Sequence, residues 1–112
     1  MINEKQLEEK IAASPAARVT KEQIESRIVD HSSHVPPTTP TVTIVTIKLD
    51  NGYSVRGESA CVNPENFDAE IGYKIAYDNA FKQLWALFGF MLAEDQFRNK
   101  LEMQEAGKQS AA

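Results

Sequence analysis

"TVTIVTIKLDNGYSVRGESACV", Thr41–Val62, is the stretch whose reading decides the fold. Its opening run is dense in β-branched residues, which fit a pleated sheet better than a helix. Val45, Ile47 and Leu49 fall on one face with Thr41 and Thr43, while Val42 and Ile44 fall on the other. That imperfect alternation predicts either a bulge or a strand covered on both sides. Asp50-Asn51-Gly52 then marks a hairpin, because Asn and Gly tolerate the positive φ such turns require. The returning strand places Tyr53, Val55 and Cys61 on one face and Arg56 and Glu58 on the opposite one.

Towards the carboxy terminus, Asn63-Pro64 reads as an N-cap followed by proline at the first helical position. Glu65 and Asp68 favour the positive end of that helix's dipole and argue against an anion bound there. Phe67, Ile71 and Ile75 form one i,i+4 ladder, and Ala76, Ala80, Leu84, Leu87, Phe88 and Met91 form another. So wide an apolar surface calls for the sheet and a further partner. Gly89 is a candidate kink or end, with a weaker segment continuing to about Met103 and a frayed tail over residues 106–112.

Towards the amino terminus lies "HSSHVPPTTP", read as a proline-rich extended connector. Before it, Thr20 and Gln23 fit a capping box opening a short helix with Ile24 and Ile28 on one face. Ile2–Ala12 forms a further short helix with sparse apolar positions. Two strands do not make a stable sheet. The third is expected around Val35 or from another chain. The predicted class is therefore α+β: a small antiparallel sheet packed on C-terminal helices, with a short N-terminal helical segment. Residues 1–40 are an arm and connector, 41–105 the core, and 106–112 a flexible tail.

The chain has 112 residues, room for one domain, and a formal charge of -4. That balance disfavours a sequence-independent grip on DNA but leaves open a local basic pocket. Cys61 is the single cysteine, so no intrachain disulfide forms and a reducing compartment is the default. The start of the chain lacks a signal's apolar core, and no apolar run approaches the ~20 residues of a membrane span. A cytoplasmic protein is expected.

Conventional catalytic sets are weak here. Cys61 has no histidine near it in sequence and reads as a small buried hydrophobe. His31 and His34 lack a third metal ligand of matching spacing and read as solvated connector residues. Glu65, Asp68 and Glu70 read as helix-start charges, and Glu58 as an ion-pair partner of Arg56. Arg56 with Phe81 is the pair of interest: a guanidinium offers a planar donor fork to phosphate, and a ring stacks on a nucleobase.

The block Asn51-Gly52, Gly57-Glu58-Ser59-Ala60-Cys61-Val62, Pro64, Asn66-Phe67-Asp68, Ile71-Gly72, Ala80 and Trp85 resembles a family of small phage and prophage proteins. It is also similar to the first of the Thoeris anti-defence families. That resemblance implies a phage sponge that sequesters, without cleaving, a cyclic ADP-ribose-type immune signal in the host cytoplasm. Some members also hold cyclic oligonucleotides at a separate site. It further implies dimers or hexamers with ligands at subunit interfaces, and no cofactor. By position, phosphate-binding arginines fall on Arg27 and Arg56 and the base-stacking aromatic on Phe81. A further basic contact in the carboxy-terminal part falls on Arg98 or Lys108, neither in a recognisable motif. The rival readings are a protein–protein module and a small hydrolase acting on the same signals.

Overall fold

A computed structural model describes residues 1–13 and 16–110. The elements run α1 (Glu4–Ala12), α2 (Lys21–Ser26), β1 (Ile28–His34), β2 (Val42–Leu49), β3 (Ser54–Ala60), a 3-10 turn (Pro64–Asn66) and α3 (Ala69–Ser110). The three strands form one antiparallel sheet in the order β1-β2-β3, with α3 across one face. The fold is α+β.

The central hairpin forms as its sequence dictates. Gly52 takes φ 90 at the turn, the one described residue in the left-handed region. Thr43, Val45, Ile47 and Leu49 are buried against α3, whereas Arg56 and Glu58 face away. Of the two readings of β2's imperfect alternation, its pairing with β3 shows no bulge, while Val42 and Ile44 on its outer face are half-buried; the one register shift of the sheet lies between Ile28 and Asp30 of β1.

The third strand belongs to this same chain and begins earlier than expected. Residues 31–34, read as connector, pair with β2 through His31 opposite Ile47 and Ser33 opposite Val45. The short helix α2 stops at Ser26, so Ile28 enters the sheet and only Ile24 of that pair stays helical, fully buried in the core. Asp50 holds this change of direction: its amide donates to the Arg27 carbonyl at 2.9 Å, and its carboxylate accepts from the Arg27 guanidinium. The core therefore reaches back to about residue 19, well inside the segment assigned to an arm.

Asn63 caps only the 3-10 turn. The long helix is capped by Asp68, whose Oδ1 accepts from the amides of Glu70 and Ile71. Proline suits either kind of first turn, so the sequence cue was right in kind and one turn early. α3 then runs 42 residues without a break at Gly89 and continues through residues 106–110. Ala76, Ala80, Leu84 and Phe88 bury against the sheet, while Ile71, Ile75 and Met91 remain exposed. Phe90 and Met91 still line a cavity with Leu49 and Tyr53 of the hairpin; beyond them the helix leaves the sheet, and Phe90, Phe97 and Leu101 lie exposed along one side of it.

The edge of β3 is closed from the helix. Asn79 Nδ2 donates to the Glu58 carbonyl at 2.8 Å, and Gln83 Nε2, one turn on, donates to that of Arg56. Carbonyls that would invite another strand are thus occupied.

Candidate functional site

On its side facing α2, α3 carries a row of rings at i,i+4 spacing: Tyr73, Tyr77, Phe81 and Trp85. Consecutive ring centroids are 6.0, 6.2 and 6.1 Å apart. His31, from β1, continues the row, and its Nδ1 lies 2.6 Å from the Tyr73 hydroxyl. Neither histidine sits in a connector, and His31 is an orienting partner for Tyr73. Burial raises the Tyr77 phenol above its usual pKa, with Tyr73 and nearby carboxylates adding to the effect.

A groove of about 380 Å³ opens over Tyr77, Phe81 and Trp85. Its walls carry Lys21 and Glu25 from α2, and Lys74, Asp78 and Lys82 from α3. Lys74 pairs with Asp78 at 2.8 Å and Lys21 with Glu25 at 3.7 Å. Among the described residues, Lys82 has no carboxylate partner. Lys21 also sits 6.0 Å from the centroid of Phe81, at the outer reach of a cation–π contact. An aromatic floor with ammonium groups at its rim suits a flat ring joined to an anionic group.

The four residues assigned from sequence occupy different places. Phe81 is only 8% exposed and forms the floor of the groove. Arg27 is locked to Asp50 by Nε and Nη2 and lies 5.8 Å from the Phe88 ring centroid. The Asp50 hydrogen bond and charge raise the Arg27 pKa, and that bond lowers Asp50's. Arg56 projects from the outer face of the sheet, with Nη1 on Ser54 Oγ at 3.1 Å. Arg98 is exposed on the overhang of α3. Within one chain, Arg56 and Phe81 do not meet.

Lys21, Lys74, Lys82 and Trp85 also line this groove and were not named from sequence. The signal was present as two parallel i,i+4 rows, Tyr77-Phe81-Trp85 and Lys74-Asp78-Lys82. A second cleft lies at the start of α3, walled by Cys61, Phe67, Ile71 and Ile75, but at about 80 Å³ it holds only a few atoms. Cys61 is half-buried there, its thiol 3.5 Å from the Asn63 carbonyl. Among the described residues no three His, Cys, Asp or Glu side chains gather as a metal site, and no helix is long and apolar enough to cross a membrane.

A family model for the phage protein (N4 Gp49/phage Sf6 gene 66) family matches residues 19–96. The chain belongs to that family. The matched span begins beside α2 and ends within the overhang, so it includes the whole sheet, the groove and its lysines. Helix α1 and the last turns of α3 lie outside what this N4 Gp49/Sf6 gene 66 family model covers. No curated protein and no solved structure matches the chain.

Proposed function

We propose that this phage-family protein binds and holds a nucleotide-derived immune signal, of the cyclic ADP-ribose type, in the host cytoplasm without cleaving it. The observation that carries this reading is the groove over Phe81, where a ring floor meets three lysines and two carboxylates. A stacked base is worth about 1–3 kcal/mol. Lysine contacts to phosphate add charge-assisted bonds, each worth about 1.5–3 kcal/mol.

The separation of Arg56 from Phe81 fits two binding surfaces better than one. On the outer face, Arg56 shares a cross-strand row with Thr46 and Ser32. A guanidinium beside two hydroxyls suits a second anion, such as a cyclic oligonucleotide. Arg27 serves as a structural clamp in this reading. The protein works as an oligomer, joined through the apolar side of the α3 overhang.

Purified protein is incubated with cyclic ADP-ribose isomers, freed of unbound ligand and heat-denatured. The released nucleotide should be chemically unchanged. Hydrolysed product moves the protein to the enzyme class, and no retained nucleotide removes the reading. The exposed Phe90, Phe97 and Leu101 also favour a second reading, docking of a host or phage protein. Pull-down from infected cells with the overhang intact and disrupted separates the two.

A further inference from the structure

We propose that the outer edge of β1 pairs with β1 of a second copy of this chain, antiparallel and about a two-fold axis at Ser32. Two three-stranded sheets then become one of six strands.

The two edges of the sheet are finished differently. In an antiparallel sheet, alternate residues of a strand turn their main-chain groups to opposite neighbours. On β3 Arg56 and Glu58 turn outward, and Gln83 and Asn79 of α3 occupy their carbonyls. Gly57 therefore bonds with Val45, its partner on β2, and Thr46 turns instead to Ser32 of β1. That leaves His31 and Ser33 turned outward on β1. The His31 amide agrees, since it donates to the adjacent Asp30 Oδ1 at 2.8 Å and not to β2. Among the described residues no strand lies beyond β1, and no side chain reaches the His31 carbonyl or the main chain of Ser33. An edge with free donors and acceptors is a template for another strand.

The sequence of β1 is complementary to itself when reversed about Ser32, which is why the strand it takes is its own. His31 lies opposite Ser33 of the partner subunit, and each such pair exchanges two main-chain hydrogen bonds. Asp30 lies opposite the partner's His34, so its carboxylate moves from the His31 amide to an imidazole N–H, and the contact recurs across the axis. Val29, the extra residue at the register shift, meets Val35 of the partner subunit; these valines are 59% and 40% exposed. An axis at His31 or at Ser33 brings together neither Asp30 with His34 nor valine with valine. A contact of four main-chain hydrogen bonds is weak, with a Kd on the order of 0.1–1 mM, and stays mostly open at micromolar concentration.

Disulfide trapping tests this pairing. On the axis the two Ser32 residues form a non-hydrogen-bonded pair, with Cα atoms about 4.5 Å apart, a span a disulfide fits. Cys61 is the single native cysteine, so the full chain carrying Cys61→Ser is the background. Ser32→Cys, at about 0.3 mM protein in a glutathione redox buffer, should give the linked dimer as main product. Glu58→Cys, exposed on the same face two strands away, should not. Adding Ser33→Pro removes an outward N–H that β2 does not use and should cut the linked fraction about tenfold with the circular dichroism unchanged. Asp30→Lys should also cut it, and His34→Glu in the same chain should restore it. No linkage at Ser32, or equal linkage at Glu58, overturns the proposal. Linkage that survives Ser33→Pro overturns the main-chain pairing. Linkage that survives Asp30→Lys, or that His34→Glu fails to restore, overturns the register.

Discussion

Gly57 of β3 lies directly beneath Ala80 of α3, so close that a β-carbon on Gly57 would overlap the Ala80 amide nitrogen and the Ala76 carbonyl oxygen. The obstacle is helix backbone, which has no rotamer through which to retreat. Small residues on both sides, Gly57 against Ala76 and Ala80, bring α3 close enough for Asn79 and Gln83 to reach the β3 carbonyls. Gly57→Ala should therefore cost about 3 kcal/mol, because overpacking against backbone is the severe form of that defect. Urea denaturation measures it. A loss under half that size would mean that α3 shifts outward freely.

Thr43 presents the opposite case, a group whose removal should help. It is 3% exposed, and its Oγ1 has no hydrogen-bond partner among the described residues. Gly72 approaches it so tightly that a β-carbon there would stand 2.7 Å from that oxygen. Thr43→Val keeps the shape and removes the unpaired hydroxyl. It should stabilise the fold by about 1 kcal/mol and raise Tm by roughly 4 °C. A lower Tm would show that the hydroxyl has a partner worth keeping.

The Arg27–Asp50 clamp makes stability depend on pH in a defined direction. Asp50's folded pKa lies below its ordinary 3.8, chiefly through the Arg27 hydrogen bond. A lowered carboxylate pKa contributes stability that is whole above the unfolded value and lost as pH falls through the folded one. Asp50→Asn should therefore be less stable than wild type at about pH 7, with the gap narrowing as pH falls below Asp50's ordinary 3.8. The effect is small, since the Asp50 side chain is 46% exposed. Thermal melts of both proteins across that range check it, and a gap that widens in acid would contradict the clamp.

These elements also show what the sequence revealed. The hairpin was legible because Asn51-Gly52 and the β-branched run act locally, through backbone preference. The α2 cap was legible for the same reason: Thr20 and Gln23 make the reciprocal bonds their spacing predicts. β1 was not legible. Asp30, His31, Ser32, Ser33 and His34 carry no strand preference, and they extend because β2 offers them a register. The groove was half legible. Phe81, named from sequence, lines the groove, but the lysines beside it come from two elements that only the tertiary fold brings together. Arg56 and Phe81 were read as one site because both suit nucleotides, and nothing local records that a sheet separates them.

Phe81→Leu distinguishes stacking from packing at the groove floor. Leucine retains most of the apolar volume, so stability should fall by less than about 1.5 kcal/mol. A nucleobase loses its planar partner, and affinity for a cyclic ADP-ribose isomer should drop by about 1–3 kcal/mol. Isothermal titration beside a thermal melt reads both quantities on one sample. Equal affinity in the two proteins would take Phe81 out of the binding surface.

The overhang of α3 yields the last expected outcome. About 20 helical residues past Phe88 extend roughly 30 Å from the sheet. Isolated helices of this length are marginal in water and are usually secured by burying an apolar side. Phe90, Phe97 and Leu101 supply such a side, spaced seven and four residues apart so that they lie nearly in line. A second copy of the same overhang, laid antiparallel, presents an identical stripe to it, as a two-fold interface requires. If two overhangs pair in this way, Phe97→Glu with Leu101→Glu sets four carboxylates into the seam and should leave the protein monomeric by sedimentation equilibrium at micromolar concentration, where the wild type should associate. Far-UV circular dichroism should fall with it, as the unpaired overhang frays. A wild-type protein already monomeric there, with its full helix content, would leave α3 to another partner.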